Sequence, residues 1–326
     1  MNAFFRHTLL PGLLLTLATA AAGQSFRTAE QALSADSLRA AVCYLSGPDC
    51  NGRRTGTEGA LQAARYLGEA LRQRGFKPLD EGYLLPFAIE GGTGYNVAAA
   101  LPGTGEGGWI VVGANIDHLG ELGGTLYPGA DMNASGVAGL IGLADLFARA
   151  RETGCSFGKG IILAGFDAKE QNLAGSTRWV RLLSAGLLRH PDTGAPIHAE
   201  DISLMVNLDQ IGSTLAPGPS GREDYLIVLT GSTTSPRLKA IGAINEKENL
   251  NLDLLPDYYG SADFTRLFYR RISDQRPFLE KGIPAVMFTS GITDNSKKPA
   301  DREDTLSYPM LRRRILLVYY YLASLL

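Results

Sequence analysis

The chain has 326 residues, 45% of them hydrophobic, and a net charge of −2 at pH 7. That is enough apolar material for a sizeable core, in one large domain or two modest ones. No long basic or acidic run is present, so nothing in the charge pattern points to nucleic acid or to an electrostatic membrane patch.

The first residues read as a targeting segment: Arg6 near the start, a largely apolar run from Leu9 to Ala22, and Ala-Ala-Gly before Gln24. We expect a signal peptide over 1–23, with cleavage near Gly23, and a secreted or periplasmic mature chain over 24–326. The competing reading, a membrane anchor, needs about 20 apolar residues, and this run is shorter. Of the three cysteines, Cys43 and Cys50 enclose a short loop, so an exported chain makes a local disulfide plausible; the alternative is two buried thiols. Cys155 has no evident bridging cysteine in the sequence.

Ser25 to Leu45 reads as one helix. Thr57 suits the N-cap of a second, with Ala60, Ala63, Ala64, Leu67 and Leu71 at helical spacing and Gly75 ending it. Tyr83–Ile89 and Tyr95–Leu101 read as a hairpin at a sheet edge. Trp109 to Val112 is an apolar, β-branched strand that runs into a polar loop with Asn115, Asp117 and His118, then into GADMNASG, which opens a helix with Val137, Leu140, Ile141, Ala144 and Phe147 on its apolar face. A buried strand that ends in polar residues before a helix N-terminus is where open α/β sheets usually place a site. Further strands are expected at Ile161–Phe166, Leu204–Leu208, Tyr225–Thr230 and Ile283–Thr289. Helices are expected at Thr177–Leu188, Pro236–Asn249 and Leu311–Leu326, and a loop with His190 and His198 at Arg189–Glu200. Alternating elements with wholly apolar inner strands predict a single α/β domain, with a mixed, mostly parallel central sheet and helices on both faces.

The strings GRRTGTEG, GANIDHLG, YPGADMNASG, GFDAKEQNLAGS, NLDQIG, SDQRPFLEKGIPAVMFTSG and PADREDTL, in that order, resemble the M28 zinc aminopeptidase family from about Leu45 to the C-terminus. The resemblance implies a two-zinc site above the sheet, held by His, a bridging Asp, Glu, Asp and His. A further Glu serves as general base to the metal-activated water. Carried over position by position, the first ligand His is Asn115, followed by the supporting acid Asp117; the bridging Asp is Met132, beside Asp131. The base is Lys169, the Glu ligand is Glu170, the Asp ligand is Asp209, and the final His is Lys297. Glu170 and Asp209 alone remain of the ligands, and the base is absent. A single-zinc arrangement, as in the related glutaminyl cyclases, would use the Met132, Glu170 and Lys297 positions and lacks ligands too.

Without metal, Asp117, Glu170 and Asp209 would crowd negative charge into one pocket, which is costly if buried. We therefore expect the ammonium groups of Lys169 and Lys297 to take over part of the metals' charge. The retained carboxylates could instead hold a hard cation such as Ca²⁺, but the nearby ammonium groups oppose that. Lys169 as a nucleophile would need a lowered pKa, and neighbouring carboxylates act the other way. His118, His190 and His198 read as ordinary histidines rather than a new metal site. Asp263 and Asp274 lie on substrate-side segments of the family, with Gln275 replacing a His, and read as loop-capping residues. The expected function is a non-catalytic pseudopeptidase, with no cofactor, that binds a peptide-like ligand or a protein partner. The alternative is an active metallo-aminopeptidase with an altered metal site.

Overall fold

The sheet is centred on strands that the sequence makes apolar along their whole length. In a computed structural model describing residues 26–105, 107–215 and 220–326, its nine strands are β1 (Lys77–Pro78), β2 (Leu84–Ile89), β3 (Gly92–Leu101), β4 (Trp109–Asn115), β5 (Gly160–Phe166), β6 (Ile202–Leu208), β7 (Tyr225–Leu229), β8 (Asp253–Leu255) and β9 (Ala285–Thr289). The order is β1-β3-β5-β4-β6-β9-β7-β8, with β2 on the far part of β3. Neighbours β5, β4, β6 and β9 run parallel, while β3 and β7 join them antiparallel. Every residue of β4, β5 and β9 is buried, as expected of strands covered on both faces. The signal-peptide segment lies outside the described residues.

Helices α1 (Ala35–Ser46), α2 (Glu58–Gln73), α3 (Gly136–Glu152), α5 (Pro236–Lys247) and α8 (Tyr308–Ala323) share one large core with one face of the sheet. On the other face pack α4 (Ala174–Ser184) and α7 (Arg276–Glu280); α6 (Ala262–Arg270) sits over β7 and β9. Helix α4 is pinned by Trp179, which is fully buried between Phe166 and Phe278 at ring-centroid distances of 6.1 and 5.4 Å. Truncating a ring of that size typically costs about 3–5 kcal/mol, so the loop just before α4 rests on a firm support. Among the described residues no helix is long and apolar enough to cross a membrane.

Several expectations need correction. The first helix is not continuous from Ser25 to Leu45: Ser34 breaks it and caps α1, its hydroxyl accepting from Ser37 N at 3.0 Å. Helix α4 stops at Ser184, and Leu188–Arg189 pairs instead with Pro196–Ile197 in a small hairpin. Helices α6 and α7 were not anticipated. Cys43 and Cys50 are free thiols rather than a bridge. Helix α1 turns Leu38, Ala41, Val42 and Leu45 into the core and leaves Cys43 on the solvent side, while Cys50 is buried in the next turn.

This predicts the thiol chemistry. In native protein a thiol reagent should modify Cys43 readily and leave Cys50 and Cys155, both buried, for denaturant. Burial also pushes the Cys50 thiol up to about 11, which slows it further. Recovery of a single reactive thiol from fully denatured, non-reduced protein would show that the bridge forms after all.

Candidate functional site

The parallel strands deliver their C-terminal ends to one place. Asn115 ends β4, paired in register with Phe166 at the end of β5; Asp167, Lys169 and Glu170 follow β5, and Asp209 follows β6. These are the positions at which a doubly covered sheet leaves polar groups exposed to a cleft. Between β4 and α3, Gly129 turns the chain at φ +61°, where an added Cβ would meet Met132 O at 2.4 Å. That turn brings Asp131 and Met132 to the same place.

The buried centre is an ion pair. Lys169, 9% exposed, donates from Nζ to Asp209 Oδ2 at 2.6 Å and to Asn115 Oδ1 at 3.2 Å. Asp209 Oδ2 also accepts from Ser273 Oγ at 2.6 Å, while its Oδ1 has no hydrogen-bond partner. Burial alone would lower the Lys169 pKa; the carboxylates of Asp209 and Asp274 outweigh it and hold the pKa above its ordinary value. Lys169 is therefore a fixed cation. A second pair sits further out: Lys297 Nζ lies 2.6 Å from Glu170 Oε2, with the Lys297 side chain half exposed. Lys297 holds this place with φ +58°, an uncommon conformation for lysine.

Asp117 lies deeper. Its Oδ2 accepts from Glu170 N at 3.1 Å and, more weakly, from Thr55 Oγ1 at 3.4 Å, and the same Thr55 hydroxyl donates to Asp167 Oδ1 at 2.8 Å. Burial, then repulsion from Asp167, raise Asp117 to about 8. Asp274 is fully buried with neither oxygen hydrogen-bonded; burial raises it to about 6, with Lys169 opposing the rise. Asp131 has other partners: its Oδ1 accepts from the Gly212 amide and the Ser135 hydroxyl. Asp301 accepts from Asp131 N and Met132 N at 2.7 and 3.0 Å.

The three histidines are not gathered together. His118 is buried beside the loop, held neutral by burial and by Arg53, with its pKa down at about 3. His190 and His198 belong to the hairpin region after α4, where His190 Nδ1 accepts from Asp192 N. Asp263 pairs with Arg266 on the exposed side of α6. Gln275 has a structural role: its Oε1 accepts from Asn207 Nδ2 at 2.7 Å and its Nε2 donates to Phe268 O and Tyr269 O, tying the end of α6 to β6.

Above these residues opens a cleft of about 490 Å³. Its floor is Met132, Lys169, Glu170 and Asp209, and Leu173, Phe268, Ile272 and Ile292 supply apolar wall. Arg271, also lining it, and Asp167 were not singled out from the sequence. The heptad-like spacing of Phe264, Leu267, Phe268 and Arg271 after a capping Ser261 was the available signal for the first.

The model of Peptidase family M28 matches residues 96–322, and the chain belongs to that family. Among solved structures, it resembles the LapA aminopeptidase of Legionella pneumophila (TM-score 0.70, 16% identity, 93% of this chain and 75% of that one). It also resembles BSAP, a zinc aminopeptidase from Bacillus subtilis (TM-score 0.65, 14% identity, 90% and 95%), and the glutaminyl cyclase of Porphyromonas gingivalis (TM-score 0.65, 18% identity, 90% and 99%). At such identities the likeness is one of fold. The uncharacterized protein YfbL of Escherichia coli (strain K12) is 25% identical over 269 residues, 76% of this chain and 75% of its own.

Two stability predictions follow from the charges. Lys169→Ala strands Asp209 and Asp274 in the interior and should cost about 3–5 kcal/mol at neutral pH. Lys297→Ala breaks a half-exposed pair and should stay within about 1 kcal/mol. Urea unfolding of both variants measures the contrast, and equal small losses would deny the inner pair its role. The second concerns Asp117. Its folded pKa is raised, so the folded chain keeps a proton that the unfolded chain releases from about pH 4 upward. Its contribution therefore falls as pH rises, up to about pH 8. Asp117→Asn should flatten the stability profile across that window and unfold at higher urea than the parent at pH 8; an unchanged profile would contradict the assignment.

Proposed function

We propose that this M28 family member is an exported, non-catalytic pseudopeptidase that has lost the two-zinc site and holds a peptide-like ligand or a protein partner in the cleft. One observation carries the reading: the ammonium of Lys169 is bonded to Asp209 and Asn115, two positions that the family resemblance assigns to zinc ligands. A cation already bonded there competes with a metal ion for the same oxygen. The donor set does not suit a zinc pair. A thioether at Met132 cannot bridge as a carboxylate does, and the charged ammonium of Lys297 has no lone pair to offer. Among the described residues, no group of three or more His, Cys, Asp or Glu side chains is placed to share a metal ion. The general-base position is Lys169, a buried cation whose proton the surrounding carboxylates retain. Export rests on the leader read from the sequence. Binding rests on an open cleft of about 490 Å³ with an apolar wall beside charged groups.

The test is metal content. Purified protein incubated with excess Zn²⁺, desalted and analysed by elemental mass spectrometry should hold close to no zinc per chain, and should leave aminoacyl chromogenic amides intact. One or two zinc ions per chain would overturn the proposal in favour of a metallo-aminopeptidase with an altered site.

A further inference from the structure

The cleft continues beyond the family site. Its rim at Asn172 is shared with a second, open cavity of about 740 Å³ on the α4 side. The ridge between the two is the loop after β5, in which Ala168, Asn172 and Leu173 all have left-handed backbone (φ +60°, +59° and +61°). Leu173 faces the first cavity, and Gln171 and Ala174 the second.

The charges along this groove do not balance. Each carboxylate that lines it already has a cation: Asp209 has Lys169, Glu170 has Lys297, and Glu280 has Arg276. Three guanidinium groups remain, Arg271 in the first cavity and Arg178 and Arg181 in the second. All three are exposed, and none is paired with a carboxylate among the described residues. Arg178 and Arg181 stand three apart on α4 and so share a face, and the opposite face of that helix is locked by Trp179, Val180 and Leu183. The chain as a whole is slightly acidic, with a net charge of −2, so this excess is local.

We propose that the groove binds an acidic peptide segment in extended form. A bulky apolar side chain fills the space between Leu173, Phe268 and Ile292, and carboxylates beyond it cross the Asn172 ridge to Arg178 and Arg181. Guanidinium forks match carboxylates in paired geometry. The apolar wall favours an acidic peptide over a purely ionic polymer, because the peptide offers apolar and anionic groups at once and the polymer only the second. This inference rests on the ligand-binding reading above and specifies its ligand.

The experiment uses the purified protein and fluorescein-labelled peptides in anisotropy titrations. One peptide alternates Glu with Leu and Phe, a second carries Lys in place of Glu, a third Gln; oligoglutamate and a single-stranded oligonucleotide complete the set. The Glu peptide should bind about tenfold or more tighter than the Gln peptide, with the Lys peptide weakest. Added salt should weaken its binding. The double variant Arg178→Glu, Arg181→Glu should lose about tenfold for the Glu peptide with unchanged melting, because both side chains are exposed and unpaired. Equal affinity for the Glu and Lys peptides would overturn the acidic assignment while leaving ligand binding in the cleft intact. Oligoglutamate or the oligonucleotide matching the Glu peptide would overturn the choice of an apolar-acidic peptide. Binding of none of the peptides would overturn this inference, whereas the pseudopeptidase reading, which also admits a protein partner, falls separately on zinc uptake.

Discussion

A carboxylate at the end of a buried parallel strand has lost its water, and only a neighbouring cation or well-placed hydrogen-bond donors let it keep its charge rather than give it up. Asp209 follows β6 with a 7% exposed side chain, and the ammonium of Lys169 at 2.6 Å meets that requirement. Asp117 and Asp274 have no such direct partner and take the other course, with their pKa values pushed up by burial. The pocket is thus organised by one inner cation paired with Asp209, while burial raises its neighbours Asp117 and Asp274, the first helped by Asp167 and the second opposed by Lys169. The outer pair, Lys297 with Glu170, is half solvated and adds much less.

The frame around the pocket is tied by groups that do not enter it. The buried guanidinium of Arg53 donates to the carbonyls of Leu45, Ile116, Pro128 and Gly129, joining the end of α1 to both loops that follow β4. Arg314 on α8 does the same for Ile211, Ser213 and Tyr225. Asp301 holds the amides of Asp131 and Met132 from across the chain. Each of these satisfies backbone groups that would otherwise be buried and unpaired.

Much of this was legible in the sequence because the fold uses simple signals. The parallel strands are unbroken apolar runs, and the residues at or just after their ends, Asn115, Lys169, Glu170 and Asp209, had to meet at one end of the sheet. Local rules were less reliable where two compete. A continuous helical pattern hid the break at Ser34, whose hydroxyl caps α1 instead. The short spacing of Cys43 and Cys50 suggested a bridge, but helical phase turns the first outward. The ties made by Arg53, Asp301 and Gln275 join residues far apart in the chain, and nothing in composition or periodicity encodes such pairings. Helix α6 was hidden by its aromatic residues and Thr265, which have modest helix propensity, and it forms because Ser261 caps it and Phe268 stacks on Tyr258 at 4.3 Å.

The two sides of the cleft are built to different standards. On one side the loops around Met132 and Lys169 are cross-tied by Arg53, Asp301 and Asp117, so moving one strand of backbone means breaking bonds in several others. On the other, α6 buries only Phe268 and Tyr269 and leaves Phe264 and Leu267 in solvent. Elements with few buried contacts open at low free-energy cost. The cleft therefore resembles a vice with one fixed jaw and one sprung jaw: displacing α6 breaks few buried contacts, while displacing the charged floor breaks several long-range hydrogen bonds.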